Sequence, residues 1–203
     1  MRDEQVDAAS VYALFASTLV NLPDGDVRAT MARLLEAVGD EEAVEAYEGE
    51  LEQRFYDRMV IGVSPLYLPA IESCILDARE GDDGRIEPGH VDGPRMTEVL
   101  ACYRAYSFDH RALQGFRPLV DTLRADQLPA ELAFMAHLRR LEALGDRKGE
   151  AAGRFADEFL ARHLRSWVPV LCELAHQRGP VDVYVRLLDA LRGWLDVDAE
   201  RAG

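Results

Sequence analysis

Apolar side chains recur along this chain at the third- and fourth-residue spacing of helices, and no convincing run alternates as a strand would. The most regular stretch spans residues 125–167. Leu128, Leu132, Met135, Leu138 and Leu141 form one stripe. Phe155, Phe159, His163, Trp167 and Leu171 form a second, one residue in every four. Each set falls on one face of a helix, where it seeks a packing partner. Only a short break at Gly145-Asp146 separates them, which predicts two antiparallel neighbouring helices.

The same reading covers the rest of the chain. A first helix is predicted over residues 3–21, with Val6, Val11, Leu14, Phe15, Thr18 and Leu19 inward, stopped by Pro23-Asp24-Gly25. Asp26 is expected to cap a second, carrying Val27, Met31, Leu34, Leu35 and Val38 up to Gly39. A third is expected over residues 40–61, with Val44, Tyr47, Leu51, Phe55 and Met59 on one face. Its other face holds Glu41, Glu42, Glu45, Glu48, Glu50 and Glu52. That row reads as a solvated face, with an attractive field for a basic partner as the sharper alternative. Two prolines keep residues 64–69 out of a helix. A helical turn or two resumes at residues 70–79, and residues 80–94 read as a charged loop. Met96, Val99, Leu100 and Tyr103 mark another helix, and Pro118 a fresh start. Gly179-Pro180 is expected to open the last helix, burying Val183, Leu187, Leu188, Leu191 and Trp194 or Leu195. A polar tail is expected to fray from Asp196. The fold class is all-α. A single helical-bundle domain is expected, with an N-terminal helical body at residues 1–124. A C-terminal hairpin plus last helix follows at residues 125–203, joined through the hinge loop Ala125-Asp126-Gln127.

Composition narrows the function. The chain has 203 residues, 48% of them hydrophobic, so a sizeable core is expected. A net charge of −14 and no basic patch argue against nucleic acid. Acids near the start and the lack of a ~20-residue apolar run argue against a signal peptide and a membrane span, so a cytoplasmic protein is expected. Cys74, Cys102 and Cys172 are far apart, belong to no CxxC pair, and read as reduced, buried thiols.

Few motifs carry chemistry. The single lysine, Lys148, precedes Gly149, so no P-loop exists, and the GxGxxG, GxSxG and HExxH patterns are absent. Glu173 and His176 have the spacing of a bundle metal ligand pair, but di-metal sites need a second such pair. The only other match, Glu87 and His90, lies among Pro and Gly. His137 and His163 read first as hydrogen-bonded packing residues, with a peptide-binding surface as the alternative. Trp167 and Phe159 read as core on spacing alone. Tyr67, between two prolines, suits the wall of a groove. Asp126 reads as the N-cap of the helix that follows, worth about 1 kcal/mol, and Glu131 lies in its first turn. Two acids beside a joint also suit a bound arginine.

At these positions the chain resembles the TorD/DmsD/NarJ family of redox-enzyme maturation chaperones. The family's Pro-Asp-His-Leu-x-x-Glu-Leu-x-Phe-Met segment corresponds here to Ala125-Asp126-Gln127-Leu128-Pro129-Ala130-Glu131-Leu132-Ala133-Phe134-Met135. Its Phe-x-x-x-His-Leu-x-x-Trp pattern is similar to Phe159, His163, Leu164 and Trp167, and its Tyr-x-Pro-x-Glu-Ser region to Tyr67 through Glu72 and Ser73. Gln127 stands where the family has histidine. The resemblance implies a chaperone, not an enzyme, that binds an apo-molybdoenzyme catalytic subunit or its twin-arginine signal peptide before export. Asp126, Gln127, Leu128, Glu131, Phe134, Tyr67, Glu72, His163 and Trp167 are the expected peptide-binding residues. No cofactor of its own is expected, since the client carries the molybdopterin and nothing indicates nucleotide binding. A monomer or a domain-swapped dimer is expected. The alternatives are a helical scaffold or regulatory protein of the same fold and, further off, a metal-dependent bundle enzyme using Glu173 and His176.

Overall fold

The computed structural model describes residues 7–40, 44–45 and 49–201. Helix α1 (Ala8–Val20) begins where the Asp7 carboxylate accepts from the N–H groups of Ala9 and Ser10, each at 3.2 Å. The expected residues before Asp7, Val6 among them, lie outside the described residues. Helix α2 (Gly25–Glu36) is capped by Asp24 rather than by Asp26. A cap needs extended backbone ahead of the first turn, and Asp24 has it, accepting from Asp26 and Val27.

The third helix is shorter than the hydrophobic pattern predicts. Gly49 and Glu50 form a turn, and α3 (Leu51–Phe55) then runs into a π turn at Tyr56–Val60. Half of the expected acidic face, Glu41, Glu42 and Glu48, lies outside the described residues, as does Tyr47. Leu51 and Phe55 are buried as expected. After α4 (Glu72–Leu76) comes a feature read as loop: β1 (Arg79–Glu80) pairs antiparallel with β2 (Ile86–Glu87). Two-residue strands are too short to show alternation, and Asp83-Gly84 lies in the turn between them, with Gly84 at φ +75°.

Helix α5 (Arg95–Ala105), a 3-10 turn at His110–Ala112 and α6 (Arg117–Val120) lead to the hinge. Beyond it stand α7 (Leu128–Glu142) and α8 (Arg147–Phe159). Gly145, at φ +68°, ends the first arm, and Asp146 caps the second through Gly149 N–H at 2.7 Å. That arm is not one regular helix. A π turn at Leu160–Leu164 precedes α9 (Arg165–Gln177), in whose interior sits Pro169. Phe159, His163, Trp167 and Leu171 stay buried along it, while Phe155 is half-buried.

The last helix, α10 (Val183–Arg201), starts after Asp182, not at Gly179-Pro180. Asp182 accepts from the N–H groups of Tyr184 and Val185 and pairs at 2.8 Å with the buried Arg58. Nor does the chain fray at Asp196. The helix continues because Asp198, 2% exposed, is tied into the core by Tyr12 and Arg139. The most extensive helix contact joins α1 to α7, where Ala13, Ala16 and Ser17 face Ala133 and Ala136. One apolar core therefore runs through both sides of the hinge.

Candidate functional site

Three stretches far apart in sequence meet at the N-terminus of α7. The first is the segment Leu68–Ile71, which Pro69 keeps out of a helix before α4 begins. The second is the hinge Ala125–Gln127. The third is the π turn with the start of α9. Ile71 bridges Gln127 in antiparallel fashion. Glu72 N–H donates to the Asp126 carbonyl at 2.8 Å, and Leu128 N–H to the Ala70 carbonyl at 2.9 Å. Tyr103 on α5 donates its hydroxyl to the Ala125 carbonyl at 2.7 Å. The extended strap thus satisfies hinge backbone groups that would otherwise be buried without partners.

Side chains complete a polar knot beneath it. Ser73 Oγ donates to Asp126 at 2.6 Å, and Arg124 Nε to its other oxygen at 3.3 Å. His163 Nδ1 lies 3.1 and 3.0 Å from the two oxygens of Glu72. Trp167 Nε1 donates to Glu131 at 3.2 Å. Glu72, Asp126 and Glu131 are all 0% exposed. Apolar groups seal the knot: Phe134 meets Tyr103 and Phe159 at 4.7 and 5.0 Å, and Phe159 stacks on His163 at 4.4 Å. Leu128 and Trp167 are fully buried.

Three buried acids in one site are costly unless paired. Burial, with the Glu72 charge next in importance, holds the Glu131 carboxyl well above the ordinary glutamate range. Burial likewise pushes the Tyr103 hydroxyl well up, assisted by Glu131.

Eight of the nine residues singled out from the sequence, Glu72, Asp126, Gln127, Leu128, Glu131, Phe134, His163 and Trp167, come together here. Tyr67 stands apart, half-buried on the approaching loop, its carbonyl accepting from Arg178. Asp126 is not the cap of α7. Gln127 occupies that position without a side-chain cap bond, its Oε1 accepting from the Arg124 N–H at 3.3 Å, while Ser73 and Arg124 Nε engage the Asp126 carboxylate. Neither Asp126 nor Glu131 is presented to solvent in this conformation. The cavity at the hinge, lined by Leu68, Gln127 and Leu128 among others, measures about 10 Å³, room for one water at most. A wider cleft of about 710 Å³ opens on the far side of the loop, between Ser64-Pro65-Leu66, the β1–β2 hairpin and the end of α9. Ser73, Tyr103 and Arg124 were missed as site residues. Ser73 follows Glu72 within the recognised motif, whereas only the fold brings Tyr103 to the hinge.

Glu173 and His176 are both exposed, and His176 instead pairs with Asp189 at 2.9 Å. Among the described residues no group of three or more His, Cys, Asp or Glu could hold a metal. No helix among them is long and apolar enough to cross a membrane.

A family model described as nitrate reductase delta subunit matches residues 21–173, which include every residue of the knot. No curated protein and no solved structure matches the chain.

Proposed function

The chain belongs to the nitrate reductase delta subunit family, a family of redox-enzyme maturation chaperones, and on that premise we propose its task. It binds the immature catalytic subunit of a molybdenum-containing oxidoreductase in the cytoplasm and keeps it competent for cofactor insertion. The family match over the segment that builds the knot is the observation that carries this reading. The net charge of −14 supports a client segment that is basic, whether a twin-arginine signal peptide or the amino-terminal stretch of a subunit that is not exported. Recognition involves Tyr67 and Gln127, at the margin of the knot, first. Leu128, Phe134 and Trp167, with Glu72, Asp126, Glu131 and His163, become available only when the strap lifts. The chaperone performs no turnover and carries no cofactor of its own.

Deletion of the gene, followed by assay of the molybdoenzymes of the same cell, tests the reading. The expected result is a catalytic subunit that accumulates without molybdopterin and without activity, restored by the gene in trans. Full activity and full molybdenum content in the deletion strain would remove it. Binding of the purified chain to the apo-subunit's amino-terminal peptide is expected to weaken as salt rises.

A further inference from the structure

The knot that closes the strap onto the hinge leaves one buried atom unexplained. Glu131 Oε1 is shielded from solvent and has no hydrogen-bond partner of the ordinary kind. Its sister oxygen is taken by Trp167. Yet Glu131 and Glu72 are held by Trp167 and His163, one helical turn apart, which brings the two buried carboxyl groups side by side. Two carboxylates that face each other offer acceptors on both sides and no donor. Only a proton makes that contact favourable.

The proton's place follows from the neighbours. His163 Nδ1 sits almost equally close to both oxygens of Glu72, and with Nδ1 assigned as the donor Glu72 is the acceptor of the pair. The oxygen left over is on Glu131. We propose that Glu131 carries a proton on Oε1 and donates it to Glu72, and that this single proton latches α4 and its strap onto α7 and the hinge.

The other groups around the pair make the latch sensitive. Asp126 on the hinge adds a third negative charge, only partly offset by Arg124. His163 comes from the π turn, and Trp167, from α9, offers a donor and no charge. Tyr103 and Cys102 face the pair from α5. No lysine or arginine side chain among the described residues bonds Glu72 or Glu131. Loss of the proton therefore sets two buried carboxylates against each other with His163 alone to compensate. Separation of α4 from α7 relieves that repulsion and parts the Glu72–Asp126 and Leu128–Ala70 backbone bonds. It bares Leu68, Ile71, Leu128 and Trp167, an apolar seat edged with acids. That this opening serves client access rests on the proposed function; the proton itself does not.

The direction is fixed by linkage. In the closed state Glu131 holds its proton to a higher pH than a solvated glutamate does. Opening thus releases one proton between those two values, and the opening equilibrium rises about tenfold per pH unit there. Infrared spectroscopy and amide hydrogen exchange on the full chain test this. At neutral pH the wild type is expected to show the absorption of one buried carboxylic acid, which Glu131→Gln lacks. The amides of Glu72 and Leu128, corrected for intrinsic exchange, are expected to lose protection about tenfold per pH unit in the wild type. In Glu131→Gln, whose amide donates without titrating, their protection should stay flat. A wild-type spectrum with no protonated carboxyl overturns the proposal, whatever the variant does. So does a Glu131→Gln protein whose protection falls with pH as steeply as the wild type's. These results are independent of whether any client binds, so they separate the latch from the chaperone reading.

Discussion

Helix α7 carries a buried polar cluster at each end, and the two solve the problem of buried charge differently. At its C-terminal end Arg139 bonds Asp198 at 2.8 Å, Asp157 at 2.9 Å and Glu142 at 2.9 Å, while Tyr12 donates to Asp198 from α1. One arginine meets each acid directly, lies at the helix end where a cation is favoured, and ties α1, α7, α8 and α10 together. At the N-terminal end stand Glu72, Asp126 and Glu131, with one histidine and the half-buried Arg124. The helix N-terminus favours an ionised acid there, but burial outweighs it and holds the Glu131 carboxyl well above the ordinary glutamate range. At the C-terminal end the one enclosed acid, Asp198, is met by Arg139 while Asp157 and Glu142 reach solvent, and that cluster is a clamp. At the N-terminal end three enclosed acids share one histidine and Arg124, and under the proposed latch that end opens when its proton leaves.

The contrast is open to direct attack. Arg139→Met has the largest expected effect. It strands Asp198 in the core without its cation and should lower stability by about 3–5 kcal/mol in urea unfolding. A smaller loss than at the other end of α7 would break the comparison. Glu72→Gln comes next. It turns an acceptor facing His163 and Glu131 into a partial donor, for a loss of about 1–3 kcal/mol by the same measurement. Ser73→Ala removes the 2.6 Å bond to Asp126 but leaves Arg124 in place, and should lower stability by about 1 kcal/mol. Faster exchange of the hinge amides than of those in α10 would place that loss at the strap.

Glu131→Gln has the smallest expected effect near neutrality, because the amide keeps one acceptor for Trp167 and supplies a donor where the proton is proposed. Its signature lies in pH. The folded chain raises the Glu131 pKa above its unfolded value, so the wild type draws full benefit below the ordinary glutamate range. That benefit is lost as pH rises through the raised value. Thermal melts over a pH series should show Glu131→Gln losing less stability than the wild type on the alkaline side. Parallel curves would refute a shared proton.

Much of this was legible in the sequence. The stripes at Leu128–Leu141 and Phe159–Leu171 specified helices because a 3.6-residue period leaves one face that must be buried. Eight of the nine residues picked from the motifs around Asp126 and Glu131 converge in space, although they come from three separate stretches of the chain. The errors share a physical cause. Asp126 as a helix cap was a sound local reading, since an acid before a first turn usually caps it. Ser73, 53 positions earlier in the chain, takes its carboxylate instead. The tail looked frayed because Asp196 and Asp198 are polar, and local pattern cannot show that Tyr12, 186 positions away, holds Asp198.

The sequence by itself determined the helical class and the hairpin, because these depend on periodicity and on residue type, and the family motif named most but not all of the residues that meet in the knot. Only the tertiary structure decided that the knot is closed, which buried acid is met by an arginine, and that one oxygen of Glu131 is enclosed without a partner. Those are facts of distance and solvent exclusion, and a carboxylate's charge state follows from its neighbours rather than from its place in the chain.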